Sequence, residues 1–280
     1  MIQNSFVRKV LTIMVWDDEW CATMKALLLA AGFGTRLEKG LAAYEGDYKD
    51  RLCRWIEGKP KGLVPIRGKP LADYLLAQLT GAGISVGSLY IQTNNRYYQQ
   101  YLSWATSFGI PAANVFNNGV NSEDARLGPV VDMQQALAKI GLDESMLVIA
   151  SDTLLYDDQG SLLDLKKMIQ KALNHNIGSI IVYRGEHSRL SCYGIVQVDM
   201  QGKVIGFQEK PTQPQSDLVN ASLHLYIPEM LQVIATLFPT PKMEWGSVLE
   251  HLYTRFPLFV EYAARRVDIG TIADVLAENP

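Results

Sequence analysis

The chain has 280 residues, 48% of them hydrophobic, with 26 Lys and Arg against 29 Asp and Glu, for a net charge of -3. That length and composition allow one large α/β domain with a sizeable core, and the slightly acidic balance excludes a general nucleic-acid binder, which needs a basic field. Three widely spaced cysteines, Cys21, Cys53 and Cys192, fit no CxxC pattern and point to a reducing, cytoplasmic setting.

Residues 1–23 read as an N-terminal extension. Their apolar run Val10 to Trp16 is too short to span a bilayer and stops at Asp17, Asp18 and Glu19, so neither a signal peptide nor a membrane segment is expected. The first strand is predicted at "KALLLA", starting at Lys25, with others at Ser88 to Thr93, Ser145 to Ala150 and Gly178 to Tyr183. Helical patterns lie around them at Leu71 to Leu79, Arg96 to Phe108, Val130 to Ile140 and Leu162 to Leu173. Short apolar strands alternating with amphipathic helices predict a mainly parallel sheet covered on both faces, a three-layer α/β/α sandwich. Past Cys192, "YGIVQVDMQGKVIGFQEKP" alternates about a Gln201-Gly202 turn and predicts an antiparallel hairpin, so the sheet should be mixed. No repeat or linker divides residues 24–280, which read as one domain.

The loop Gly32-Phe33-Gly34-Thr35-Arg36 follows the first strand directly. Glycines there let backbone N–H groups approach a phosphate, and the helix that follows adds its N-terminal dipole. The loop lacks the third glycine of the dinucleotide fingerprint and the Gly-Lys-Ser/Thr of the Walker loop; instead Arg36 supplies a forked cation for phosphate oxygens. Lys61 stands two residues before the strand-like run "LVPI". Asp152, in "SDTLL", follows a strand end, where α/β sheets place ligand sites, but a helix N-cap reads equally from the local sequence. Asp268, in "VDIGT", has the same two readings, with a helix expected from Thr271 to Glu278.

Taken in order, "LLLAAGFGTRL", "KPKGLVPIRGKPL", "IASDTLL", the hairpin segment, "VNASLHLY" and "RRVDIGTIADVLAEN" resemble the nucleotidyltransferases that act on sugar 1-phosphates. The resemblance implies a GT-A-like, Rossmann-related fold that joins a nucleoside triphosphate to a sugar 1-phosphate and releases pyrophosphate. It implies nucleotide contacts from Leu29, Ala31, Gly32, Gly34, Thr35, Arg36 and Gly128, and catalytic roles for Arg36, Lys61, Asp152 and Asp268. The two aspartates would hold Mg²⁺, and Tyr193, Gly194, Glu209, Lys210 and Asn220 would contact the acceptor. These residue types suit the chemistry. A phosphate oxygen already ionised near neutral pH needs no general base, so catalysis is alignment and charge neutralisation; two unit negative charges at about 4 Å repel by roughly 4 kcal/mol at an effective dielectric near 20.

Plainer readings stand beside some of these: Gly128 as a helix start, and Glu209-Lys210 as a solvated strand-end pair. The sequence also departs from the family. Glu38 to Gly58 is an insertion whose Tyr44, Tyr48 and Trp55 predict a lid or a subunit contact rather than disorder, so a homo-oligomer is compatible with it. Arg265 and Arg266 stand where members often carry Trp, and Ser222 follows Asn-Ala where Gly is common, adding a hydroxyl beside the acceptor pocket. No β-helix extension is expected after Pro280. Two alternatives stay open, a transferase for a non-sugar phosphate or phosphonate and a catalytically silent sensor on the same fold. Neither nucleic acid nor membrane is an expected partner.

Overall fold

The computed structural model describes residues 24–239 and 243–279; the N-terminal extension read at 1–23 lies outside them. Strand β1 (Lys25–Ala30) is central, hydrogen-bonded in parallel to β4 (Leu89–Thr93) and β6 (Met146–Ala150), with the short β2 (Pro65–Ile66) and β3 (Lys69–Pro70) forming their own hairpin. β5 (Val115–Asn117) extends the sheet in parallel beyond β4. After Lys25, the run Ala26 to Ala30 is apolar throughout because a strand sends alternate residues to opposite faces and both faces are covered. Ala26, Leu28 and Ala30 enter one core, and Leu27 enters the other.

Each core is closed by its own helices. The first holds Leu37 and Leu41 of α1 (Thr35–Ala43), Leu52 and Ile56 of α2 (Lys49–Ile56), Leu71 and Leu75 of α3 (Leu71–Gly81), and Tyr101 and Trp104 of α4 (Tyr98–Ser107). The second takes Val130, Met133 and Leu137 of α5 (Pro129–Ile140). Burying one Leu of this kind contributes about 2 kcal/mol before entropy is counted. The expected insertion, 38–58, is therefore the end of α1 and all of α2, anchored in the core by Leu41, Leu52 and Ile56 while Tyr48 stays half-exposed.

The second half is mixed. After β7 (Thr153–Tyr156), the helix expected from Leu162 starts only at Lys166, as α6 (Lys166–His175). Leu162 instead bridges back to Tyr156, and Leu163 donates its N–H to the Leu155 carbonyl at 2.8 Å. Asp157 locks that turn by accepting from the N–H groups of Gln159 and Ser161. β8 (Gly178–Arg184) and the hairpin of β9 (Gly194–Val198) and β10 (Val204–Glu209) follow, the hairpin as its alternation predicts. Next come β11 (Leu218–Tyr226), α7 (Pro228–Thr236), α8 (Val248–Leu252), β12 (Leu258–Tyr262), β13 (Arg265–Asp268) and α9 (Ile272–Ala277).

β11 is the hinge of the architecture. It runs antiparallel to β8 along much of its length, but it pairs with β9 through Leu218 and Val219 and with β6 from Leu223 to Tyr226. Between those halves its register against β8 shifts by two residues, and Ser222 sits in the left-handed region at φ 58°. A bulge there lets one strand serve β9 with its first residues and β6 with its last.

Candidate active site

The C-terminal ends of β1 and β6 lead into one cleft, where parallel α/β sheets place their ligands. Leu29, Ala31, Gly32, Gly34, Thr35 and Arg36 line it, with Lys61, Gly128 and Asp152. Gly34 turns the chain into α1 at φ 69°, and no side chain caps that helix, so its first N–H groups remain available to an anion. The loop is held from behind. The Asn94 amide donates to the Ala31 carbonyl at 3.0 Å, and the buried Tyr97 hydroxyl donates to the Phe33 carbonyl at 3.0 Å.

Lys61 reaches the cleft because of the glycine after it. A Cβ on Gly62 would stand 2.6 Å from the Tyr101 hydroxyl and 2.9 Å from the Ser151 carbonyl, so only glycine lets this turn lie against the end of β6. Lys61 Nζ then meets Asp152 Oδ2 at 3.0 Å. Asp152 is followed by β7, not by a helix, which removes its capping reading. Asp268 caps no helix either: Thr271 caps α9 in a reciprocal box with Asp274. β13 pairs antiparallel with β7 in the register Asp268 to Thr153, and the Ile269 N–H donates to the Asp152 carbonyl at 3.1 Å. That pairing brings the two distant aspartates side by side.

Cations surround them. Arg266 Nη2 lies 3.3 Å from Asp268 Oδ2 and also donates to the Thr153 hydroxyl, while Arg36 lies against Gly270. Burial works against charge on Asp152, but Lys61 and then Arg266 outweigh it and hold its carboxyl below the usual range. Asp268 is pushed the other way, by burial and then by the Asp152 charge, against the pull of Arg266, Lys61 and Arg36. Lys61 stays above its ordinary value despite burial because both aspartates face it. Two adjacent hard oxygen donors that repel each other fit a small divalent cation such as Mg²⁺, which is commonly held by one or two carboxylates with phosphate and water completing the shell. No group of three or more metal-type side chains occurs among the described residues.

The five residues expected at the acceptor form a second cluster beside this cleft. Glu209 ends β10, and Lys210 follows in the left-handed region at φ 46°, its N–H donating to the Tyr193 carbonyl at 3.1 Å. The two are not a mutual surface pair, for Lys210 Nζ is 4.0 Å from Glu209 but 2.6 Å from Glu244. Burial, with Glu244 and Glu250 nearby, pushes the Glu209 carboxyl up to about 7 against the pull of Lys210. Tyr193 packs against the small cluster of Leu190, Ile195 and Val219. A Cβ on Gly194 would stand 2.6 Å from the Phe207 ring, which would have to move to admit it. Gly128 begins α5 at φ 95° with Pro129 behind it, so it serves both as a helix start and as cleft lining.

Sequence reading missed the segment that joins the clusters. Glu244 and Trp245 line the cleft, and a Cβ on Gly246 would sit 2.6 Å from Glu209 Oε2 and 3.3 Å from Asn220 Nδ2. Glu123, Arg126 and Asp132 were also missed. Asp132 is buried at the cleft wall, takes a 2.7 Å hydrogen bond from the Asn118 amide, and is pushed by burial up to about 6. A Trp-Gly pair, or an Asp one turn into a helix, carries no local signal of this kind.

The profile of the nucleotidyl transferase family matches residues 51–280. Among curated relatives, a UTP–glucose-1-phosphate uridylyltransferase of Synechocystis sp. is 27% identical over 75% of this chain, which spans 51% of that protein. A glucose-1-phosphate thymidylyltransferase of Actinoplanes sp. is 24% identical over 90% of this chain and 76% of its own length. Among solved structures, a UDP-glucose pyrophosphorylase complexed with UDP-glucose superposes with a TM-score of 0.67 at 20% identity, covering 92% of this chain and 97% of that one. A Bacillus anthracis chain in complex with sucrose gives 0.71 at 19%, covering 91% and 94%. These likenesses establish the fold as GT-A-like. The glycine loop precedes the family match, so its assignment rests on its geometry in the cleft.

Proposed function

This chain belongs to the nucleotidyl transferase family, and from that premise we propose that it is a Mg²⁺-dependent enzyme joining a nucleoside triphosphate to a sugar 1-phosphate. The observation that carries the reading is one cleft combining an uncapped helix N-terminus, the Lys61–Asp152 pair and a second aspartate. The N–H groups of Gly32 to Arg36 and the Arg36 guanidinium hold the β- and γ-phosphates. Lys61 stands at the α-phosphate, where Asp152 now occupies it. Asp152 and Asp268 hold Mg²⁺, which when bound neutralises charge on the triphosphate and polarises it for displacement. An oxygen of the sugar phosphate forms a new bond to the α-phosphorus as the bond to pyrophosphate breaks.

On the acceptor side, Glu209 receives hydrogen bonds from sugar hydroxyls, the Asn220 amide donates to a sugar oxygen, and Tyr193-Gly194 shape the floor. Lys210 gives up Glu244 to meet the acceptor phosphate. With Cys53 and Cys192 both free thiols, and no described helix long and apolar enough to cross a membrane, a cytoplasmic setting suits the chemistry.

The test is a panel of four NTPs against several sugar 1-phosphates with pyrophosphate release as the readout. Turnover with at least one pair, dependent on Mg²⁺, is expected. No release with any pair would overturn the reading.

A further inference from the structure

Behind Asn220 lies a line of polar side chains that the reaction scheme does not use. His224 and Tyr226 are wholly buried on β11, and Trp245 is nearly so. Trp245 Nε1 lies 3.0 Å from the Tyr226 hydroxyl, that hydroxyl 2.6 Å from His224 Nδ1, and His224 Nε2 2.7 Å from Asn220 Oδ1. The Ser222 backbone N–H also reaches Asn220 Oδ1, at 3.2 Å.

Donor and acceptor chemistry allows these contacts one direction. A backbone N–H can only donate, so the Asn220 atom facing Ser222 is the carbonyl oxygen, which can only accept. His224 Nε2 must then carry a proton. Burial pushes the His224 pKa down to about 3, so the ring is neutral and Nδ1 is a bare acceptor. Tyr226 therefore donates to Nδ1, and its oxygen accepts from the indole N–H, which can only donate. Every proton in the line is assigned.

We propose that Trp245, Tyr226 and His224 are positioning residues, forming a one-way hydrogen-bond chain that locks the Asn220 amide with its Nδ2 donors turned to the acceptor subsite. Nδ2 has no protein acceptor among the described residues and lies over Gly246, the same spot that Glu209 Oε2 faces. The subsite thereby presents a fixed donor beside a fixed acceptor. It selects a ligand whose adjacent oxygens can respectively accept and donate, as neighbouring sugar hydroxyls do, over one that lacks the pair. The bulge at Ser222 is part of the device, because it aims the Ser222 N–H at the amide oxygen. The chain also begins at Trp245, a wall of the cleft, so the orientation of Asn220 depends on that wall being in place. This inference rests on the acceptor role given to Asn220 above.

Two measurements on the whole protein test it. Nitrogen NMR of the imidazole should show His224 as the neutral Nε2–H tautomer, unchanged from pH 5 to 8. In kinetics, His224→Leu should raise the acceptor KM about tenfold, the scale of one buried hydrogen bond, with the NTP KM unchanged. His224→Gln, whose amide can donate to Asn220 and accept from Tyr226, should restore the acceptor KM. An Nδ1–H tautomer, an imidazolium in that pH range, equal damage by Leu and Gln, or a matching rise in the NTP KM would overturn the chain. Should His224→Leu fail to fold, Tyr226→Phe takes its place. If the wild type turns over no sugar 1-phosphate, the transferase reading fails instead. The chain is then decided by the tautomer and by the Asn220 side-chain amide signal, which should move in Tyr226→Phe and stay in His224→Gln.

Discussion

The two halves of the site are built by opposite physical strategies. Around Lys61, Asp152, Asp268 and Arg266 the protein brings unlike charges together, and each carboxylate or cation is tolerated because another neutralises it. Around Asn220, His224, Tyr226 and Trp245 it buries neutral polar groups and satisfies them in sequence. The first arrangement stores attraction for a polyanion and a cation, and it loosens when one partner goes. The second stores orientation. A buried charge needs a counter-charge, whereas a buried amide needs only donors and acceptors of the right sense.

The charged half is most sensitive at its aspartates. Asp152→Asn and Asp268→Asn should each cut Mg²⁺-dependent pyrophosphate release by roughly a hundredfold or more while leaving a folded chain by circular dichroism, and the double variant should resemble either single one. Additive, modest losses with an unchanged Mg²⁺ titration would show that the two do not act on one ion.

Next in size is the contrast between Lys61 and Arg36. Lys61 is largely buried against Asp152, and Arg36 is exposed. Lys61→Ala strands a carboxylate beside its neighbour and should cost roughly 2 kcal/mol of stability as well as turnover. Arg36→Ala should cost turnover alone. Denaturant unfolding of both variants beside their kinetics checks this, and equal stability losses would erase the distinction.

Beside the neutral chain, burial raises the Glu209 carboxyl to about 7. Acceptor kcat/KM should climb as pH rises through 7, since hydroxyls bind the carboxylate, and Glu209→Gln should flatten that climb. The stability sign is opposite. A carboxyl whose folded pKa exceeds its unfolded value costs nothing below about 4.5 and its full penalty above about 7. Glu209→Gln should therefore raise the Tm at pH 8 and leave it unchanged at pH 4. A Tm gain equal at both pH values would place the effect elsewhere.

The smallest effect sharpens the bulge. Ser222 holds a left-handed φ without being glycine, so Ser222→Gly should stabilise the protein by up to about 1 kcal/mol in denaturant melts. A loss instead would mean that the Ser222 side chain contributes more than its backbone strain costs.

Wherever the determining interaction is local, the sequence was enough. Continuous apolar runs such as 26–30 announce strands covered on both faces, because alternate side chains enter the two cores. The glycine loop announces itself because its glycines and the backbone N–H groups they leave open lie within a few residues of each other. The hairpin at Gln201-Gly202 is legible from its alternation for the same reason. The folding-back of Leu162 and the anchoring of 38–58 in the core were not legible. The first is decided by Asp157 closing a turn back onto Tyr156, and the second by core contacts from segments far along the chain. The same holds for both candidate clusters. The side-by-side placement of Asp152 and Asp268 depends on the register of β13 against β7, and the aim of Asn220 depends on a bulge that lets β11 change partners and on Trp245 arriving from another element. Register and bulge are properties of paired strands, which no single run of residues encodes, so the tertiary structure alone decided them.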